Sequence, residues 1–580
     1  LSESQLQNGD ASTYVPPKSC VSGQVWTRSG CVQQPDVKAN TVGYLPARVK
    51  FATVPAEAAD SAFVVRDVAS QQVAYAGALT QNPIEVSDTG ESVRVADFSA
   101  LNQPGTYVIE VAGYAASPPF EITSSAYADV LRSALLGLYG QRCGASVSID
   151  FGGDTFAHGD CHQTDGAFDA TFTPGQYGDH DATGGWHDAG DYGKYTVNGA
   201  FSVAFLLKAW EDFGAPLARI AHVPDSASPL PGILAEAKYQ LDWLLKMQQA
   251  DGSVLHLVCP RNFPNDSVSP ESDRPQRYFL QASTSATAYF EAVVAAGART
   301  IRPFDSAYAD ELTAAAELAD GWLEANPAAK AAANGTSQSP YVAGGPYNIS
   351  EPSERAARTW AKVELWRTTG DADLSAIEAQ LGDLTVAGSW DWAGAGNLAI
   401  FDYADSNLPA RNTETVTKLQ TSIVKGADTL LSQAQSHGYG RALAPTDYNW
   451  GSNGMVARSV MNLWAAYRIS SDPKYLDAAT QQVDYLLGRN PFGRSFVTGV
   501  GFAPPVSPHH RPSNSDRMLV PWPGLLVGGP HKNPRDPKAK EHADVPAGKF
   551  WFDESSDYYV NEIAINWNAA LIYALAGFVP

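Results

Sequence analysis

At Ser124 the texture of the chain changes, and that change limits the folds open to it. Ahead of it the runs VKFATVP, SAFVVRD, QQVAYAG, SVRVADFS, GTYVIEVAG and PPFEIT are short, β-branched or alternating, and separated by Gly, Pro, Asp and Asn. Such a series within residues 38–123 predicts a β-sandwich. Beyond it, about ten long segments carry apolar residues at helical spacing. The first is SSAYADVLRSALLGLYGQRCG, in which Ser124 or Ser125 can cap the first turn and Gly144 can end the last. Helices in that number without intervening strands exclude a parallel β/α barrel and leave a bundle, a solenoid or a closed barrel of helical hairpins. No fixed-length repeat selects among them. The 580 residues therefore divide into a tail at 1–37, a sandwich at 38–123 and a helical domain at 124–580.

Composition narrows the function. Asp and Glu number 62 against 40 Lys and Arg, and the net charge of -22 repels phosphate backbones and anionic lipid. Nucleic acid and membrane surfaces are thereby set aside as main partners, a neutral substrate fits, and no apolar run is long enough to span a bilayer. The 14 Trp and 25 Tyr suit the C–H faces of sugar rings, as they also suit a large core. The chain opens at Leu1 on a polar stretch, as a processed mature protein would. Cys20 and Cys31 bracket a polar loop with little else to hold it, which favours a local disulfide and an oxidising compartment, so a secreted protein, extracellular or periplasmic. Cys259, among apolar neighbours, reads as a buried free thiol. A monomer is expected.

Two acidic clusters stand out. GGWHDAGDYGKY (184–195) sets Asp188 and Asp191 three residues apart among glycines that admit close approach, so that two carboxylates crowd one spot. WFDESSDYYVNE (551–562) ends on Glu562 beside the last apolar helix, among aromatics that would raise its pKa toward that of an acid. Glycoside hydrolysis needs such a pair, one carboxyl to protonate the leaving oxygen and one to activate water or attack. Helix capping and dipole compensation account for either cluster taken singly.

GGWHDAGDYGKY, the second cluster extended to WFDESSDYYVNEIAINWNA (551–569) and SFVTGVGFAPPVSPHHR (495–511) resemble the three hallmark segments of glycoside hydrolase family 9. NTVGYLP (40–46) is similar to the opening strand of the immunoglobulin-like domain found in one branch of that family, and WGSNGMVARSV and DYLLGRNPFGRSFVTG are similar to its late helices. The resemblance implies an N-terminal immunoglobulin-like β-sandwich followed by an (α/α)6 barrel, and hydrolysis with inversion. It implies Asp191 as general base, Asp188 as a holder of the attacking water and Glu562 as proton donor. His509, Arg511 and Asp553 would line the cleft beside the acid. Inversion requires base and acid about 6.5–9.5 Å apart across the cleft. Where the family usually has a polar or basic residue this chain has Ala503, a departure that touches one subsite.

Cys143, Cys161, His162 and His187 form a possible four-ligand metal set, against which a Cys143–Cys161 disulfide is the plain alternative. The resemblance implies a structural zinc at these positions, with His180 as an alternative fourth ligand. Calcium is common in the family; turns around Asp251, Asp266 and Asp371 offer oxygens without forming a recognised loop. Trp186, Tyr192, Tyr195, Tyr448, Trp450 and Tyr558 are candidates for stacking on glucose rings. The leading expectation is an endo-acting β-1,4-glucan hydrolase, a cellulase. Its rivals are an exo-acting cellodextrinase, cellobiohydrolase or glucosaminidase of the same fold, a non-catalytic carbohydrate-binding protein, and a zinc hydrolase, which would need an open metal position.

Overall fold

The computed structural model describes residues 20–58, 61–220, 223–224, 229–332, 347–371, 373–534, 541–542 and 544–580. In the tail, β1 (Gln24–Thr27) and β2 (Gly30–Gln33) form a hairpin, and the expected Cys20–Cys31 disulfide ties the chain ahead of β1 to β2 beside the turn, at a Cα separation of 5.7 Å. Alternation then builds the sandwich. One sheet orders β3 (Gly43–Tyr44), β10 (Phe120–Ile122), β9 (Gly105–Glu110), β5 (Ala62–Asp67) and β6 (Val73–Ala78). The other orders β4 (Phe51–Pro55), β8 (Glu91–Asp97) and β7 (Ile84–Val86). Phe63 and Val65 of β5 and Tyr107 and Ile109 of β9 point inward, and Tyr44 meets Phe98 and Phe120 edge-on in the core between the sheets.

Twelve helices of nine residues or more follow among the described residues. They are α1 (Ala128–Tyr139), α2 (Thr196–Ile220), α3 (Gly232–Met247), α4 (Thr284–Ile301), α5 (Ser306–Ala325) and α6 (Ser353–Thr369), then α7 (Leu374–Gly382), α8 (Ala395–Asp405), α9 (Thr413–Ser436), α10 (Ser452–Ser470), α11 (Lys474–Leu486) and α12 (Ile565–Ala576). The even-numbered helices pack as an inner ring, and each odd-numbered helix lies against its neighbours from outside, giving the (α/α)6 barrel. Burial separates the two rings. α12 is buried along its whole length, whereas outer α9 buries a single stripe of Leu419, Ile423, Ala427, Leu430 and Ala434. Short α7 and nearly all-buried α8 offer little one-sided periodicity, which is why the sequence pattern passes over them.

Two expectations need correction. The helical domain does contain strands: a hairpin of β11 (Val147–Phe151) and β12 (Asp154–His158), and a sheet ordered β14 (Gly178–Asp179), β13 (Ala167–Phe168), β17 (Arg277–Ala282), β16 (Leu255–Pro260) and β15 (Lys194–Tyr195). β16 is buried at every position, so its apolar run carries no alternation to read. The first helix starts behind Tyr127 without a side-chain cap and stops at Gly140, leaving Ser124, Ser125 and Gly144 outside it.

Towards the C-terminal ends of the inner helices the barrel is closed by buried charges. Lys208 pairs with Asp212, Asp402 and Asp405, while Arg299 and Arg367 share Glu211 and Glu364. The sandwich is fastened to the barrel flank by polar contacts. Asn40 donates to Asp484 (2.8 Å), Thr53 to the Gly438 carbonyl (2.7 Å) and Tyr439 to Glu91 (2.7 Å).

Asp88, on the sandwich side, accepts from the Tyr448 hydroxyl (2.7 Å) and from His437 (3.2 Å). Burial works to raise its pKa, but His437, Tyr448 and Arg441 prevail and hold it at about 2. A depressed carboxyl stabilises the fold above its unfolded pKa and loses that contribution as pH falls through the folded value. Asp88→Asn is therefore expected to cost about 2 kcal/mol near neutrality. In calorimetric melts the gap from wild type should narrow as pH falls from about 4 toward 2.

Candidate active site

Residues just ahead of five of the six inner-ring helices, α2, α6, α8, α10 and α12, line one cleft of about 490 Å3. Asp188, Asp191 and Tyr195 precede α2, Tyr347 precedes α6, Asp391 and Trp392 precede α8, Trp450 precedes α10, and Glu562 precedes α12.

Backbone pairing brings the two acidic clusters together. Asn561–Ala564 runs past three other segments: the His509 amide donates to the Asn561 carbonyl (2.9 Å), the Gly528 amide to the Glu562 carbonyl (2.8 Å) and the Ile565 amide to the Asp188 carbonyl (2.9 Å). Bridges join Ala189 to Ala564, His509 to Glu562 and Val527 to Ile563. Gly190 is the point of closest approach, since a Cβ there would stand 2.1 Å from the His509 carbonyl oxygen.

The three carboxyls are tuned apart. Asp188 is buried; it accepts from Asn198 Nδ2 and Tyr347 Oη, each at 2.7 Å, while burial and then the Asp191 charge push it up to about 7. Burial also raises Asp191, against the pull of Arg511, the Gly193 amide, His509 and Arg277. Glu562 is driven furthest, well above the carboxylate range, by burial and the charges of Asp191 and Asp188, with Arg511 and the Gly190 backbone in opposition. Of the two, Glu562 is raised the further, so it keeps its proton to higher pH than Asp191 does. His509 donates from Nδ1 to the Ser555 carbonyl (2.7 Å), and burial pulls its ring below the ordinary histidine value.

Several expected cleft residues stand elsewhere. Trp186 is 1% exposed and donates to Glu236 (2.7 Å), so it is core and not a sugar platform. Tyr192, fully buried, packs on the His162 and His187 rings and donates to the Val268 carbonyl. Tyr448 is engaged with Asp88 at the domain interface. The Arg511 fork is spent on the Pro264 and Gly190 carbonyls, with Asp266 at 3.5 Å, so it braces loops and acts on the carboxyls through its charge. Asp553 binds Arg494 (2.8 Å) and the Val506 and Ser507 amides, buttressing the segment that carries His509. Ala503 belongs to the same buttress, its carbonyl accepting from Arg494 Nε (2.7 Å). Trp450 (42% exposed) and Tyr558 (37%) do present open faces beside His509. Tyr347, Asp391, Trp392 and Trp567 were not singled out from sequence; Trp567 lies within the run 551–569 that carries the resemblance, the others belong to no recognised motif, and the inner-helix starts gather them.

Cys143, Cys161, His162 and His187 converge, their ligand atoms all within 4.8 Å of one another, and both cysteines are free thiols, so the disulfide alternative falls. His162 Nδ1 lies 3.4 Å from Cys143 Sγ and 3.2 Å from His187 Nε2, and Cys161 Sγ lies 3.9 Å from His187 Nε2. A tetrahedral ion with metal–sulfur bonds of about 2.3 Å and metal–nitrogen bonds of about 2.0 Å sets sulfur–nitrogen edges near ~3.5 Å and nitrogen–nitrogen edges near ~3.3 Å, so the donors fit. His162 donates its other nitrogen toward Asp273 (3.2 Å), the outer-shell partner such a ligand takes. His180 is turned away to the Lys246 carbonyl and is not a ligand. Among the turns proposed for calcium, Asp251 is taken up by Ser253 and Asp266 faces Arg511. No second group of three or more His, Cys or acidic ligands occurs among the described residues. No helix among them is long and apolar enough to cross a membrane.

Comparison with known proteins bears on this geometry. The profile of Glycosyl hydrolase family 9 matches residues 127–575, and that of the Cellulase N-terminal ig-like domain matches residues 32–116. The chain is 39% identical to Endoglucanase D of Acetivibrio thermocellus over 94% of this chain and 83% of the relative. It is 34% identical to a cellodextrinase of Butyrivibrio fibrisolvens over 85% of this chain and 90% of the relative. Among solved structures, a Zn-binding triple mutant of the family 9 endoglucanase J30 superposes with a TM-score of 0.83 at 33% identity, covering 92% of this chain and 99% of that one.

The contact at Gly190 yields a structural prediction. Gly190→Ala must push the His509 segment away, at an expected cost on the order of 2 kcal/mol. Thermal denaturation should show it, and near-wild-type stability would refute the close approach.

Proposed function

Because the chain belongs to glycosyl hydrolase family 9, we propose that it is a secreted, inverting endo-β-1,4-glucanase that cleaves β-1,4-glucan chains lying across the cleft. The observation that carries this reading is the meeting of Asp188, Asp191 and Glu562 in one cleft, where burial and the charges of Asp191 and Asp188 raise Glu562 well above the carboxylate range. Glu562 passes its proton to the glycosidic oxygen as that bond to the anomeric carbon breaks. Asp191 takes a proton from the water that attacks the same carbon from the opposite face, leaving an α-configured reducing end. Asp188, fixed by Asn198 and Tyr347, helps to hold that water. Trp450 and Tyr558 offer faces for glucosyl rings. The Cys20–Cys31 disulfide supports an oxidising destination.

An exo-acting variant of the same chemistry is favoured by one observation, the similarity to a cellodextrinase. Digestion of carboxymethyl cellulose and cellopentaose, with the anomer followed by NMR, tests both. α-Anomeric oligomers of mixed length are expected, a single short product from chain ends would favour the exo reading, and no cleavage would overturn the assignment.

Zinc is the ion we assign to Cys143, Cys161, His162 and His187, as a structural cross-link. Burial opposes ionisation of Cys143, but a hydrogen bond from Cys161 and the charges of Lys194, His187 and His162 draw its thiol well below the ordinary range, while that same bond and burial raise Cys161, so the pair offers one thiolate and the ion would draw the proton from the second. Four protein ligands leave no open position, so zinc would fasten the segment leading into Asp188 and take no part in the reaction.

Four outcomes are expected. Asp191→Asn and Glu562→Gln each lower kcat by roughly 10³-fold or more, against unchanged melting curves. The pH–rate profile is a bell: activity falls on the acid side as Asp191, raised above the usual carboxylate value, gains a proton, and on the alkaline side as Glu562 loses one. Asp188→Asn removes one of the charges that raise Glu562, so its alkaline limb moves to lower pH in stopped-rate assays. Elemental analysis finds one zinc per chain; Cys161→Ser loses it and melts several degrees lower, and retention of full stability without metal would refute the cross-link.

A further inference from the structure

Arg458 is a buried cation that the fold does not use up. It lies on α10 two turns in from Trp450, and its side chain leans back toward the helix start, as helical side chains do. Its Nη1 would stand 3.2 Å from a Cβ at Gly454, and Trp567, which lines the cleft, fills the rest of the space that this glycine leaves. The residue is 1% exposed. Nε donates to the Trp390 carbonyl (2.7 Å), while Nη1 is buried with no hydrogen-bond partner among the described residues. Burial pulls the guanidinium down to about 10, offset by the charge of Asp391, so it remains a cation at neutral pH.

Stranded polarity of this kind is costly, and close by it recurs with the opposite sense. Asn566, in the first turn of α12 and 3% exposed, has a buried Oδ1 without a partner among the described residues. Arg458, Asn566 and Asp391 all line the same cleft as Asp191 and Glu562. A donor that cannot accept, an amide oxygen that cannot donate and a carboxylate, set among Trp392 and Trp567, match a sugar ring, whose hydroxyls both donate and accept and whose C–H faces are apolar.

We propose that Arg458, with Asn566 and Asp391, forms the polar floor of a subsite that grips the hydroxyls of one neutral glucosyl unit. This deepens the reading of the cleft as a glucan site and rests on it. Arg458 is a specificity-determining residue: it binds the chain without taking part in bond cleavage. Its unpaired Nη1 is a stability cost kept for binding, which separates this role from a structural one.

The experiment uses Glu562→Gln as a non-turning-over parent and cellotetraose as the probe, with Arg458→Met, which keeps the length of the stem and removes the donors, and Asn566→Ala. Calorimetric titration should show cellotetraose binding at least tenfold weaker in either double variant than in the parent. In the otherwise wild-type chain, Arg458→Met should raise KM by a similar factor with kcat within about threefold. Its melting temperature should stay within a few degrees of wild type or rise, because a buried unpaired charge has been removed. Unchanged binding in both double variants, or a large loss of stability in Arg458→Met with affinity intact, would overturn the proposal while leaving the glucanase reading standing. Failure of the Glu562→Gln parent itself to bind cellotetraose would overturn both.

Discussion

The structure turns on the extended segment Glu562–Ala564 and the Asn561 carbonyl just ahead of it, which pair their backbone with His509, with Val527–Gly528 and with Asp188–Ala189 at once. None of those bonds depends on side-chain identity, yet together they set Glu562 in the same cavity as Asp191. Side chains reinforce the crossing from behind. Arg511 donates to the Gly190 carbonyl, Asp553 clamps the Val506 and Ser507 amides, and Asn561 donates to the Ser507 carbonyl (2.7 Å). Hydrogen bonds to backbone fix orientation without competing for the cleft, so polar residues expected to face substrate are employed one layer further out.

The barrel separates its charges by depth. At the helix starts stand carboxyls that burial and mutual repulsion drive toward the protonated form, despite the favourable helix N-termini nearby. At the far ends Glu211, of similar burial, is held ionised by Arg299 and Arg367, although Asp402 of the same network is pushed up to about 7 by burial and the charge of Glu364. What differs is the supply of cations, and the cleft is kept short of them. Arg511 acts on the carboxyls from its loop-bracing position, and Arg458 sits beside Asp391 without a salt bridge.

The proposed metal set lies directly upstream of this chemistry. His187 is the neighbour of Asp188, its amide donates to the Gln141 carbonyl (2.7 Å), and Gln141 in turn donates to the Ala189 carbonyl and accepts from His510. A cross-link at His187 would therefore stiffen both segments that meet at Gly190. Tyr192, buried against the two histidines, belongs to this support and not to the binding surface.

By itself the sequence determined the two-domain division, the sandwich by its alternation, most of the helices by their one-sided apolar stripes, the Cys20–Cys31 closure and the metal-binding residue types. Each of these is written in local pattern or in a chemically distinctive residue. The motif resemblance added Asp191 and Glu562 as the pair to look for. Only the tertiary structure decided which aromatics face the cleft, since Trp186 and Trp450 are alike as letters and differ in exposure, 1% against 42%. It alone recruited Tyr347 to Asp188 and left Arg458 without a full set of partners. Those outcomes depend on which helix starts meet at the barrel mouth, a consequence of long-range packing that no short window of sequence contains.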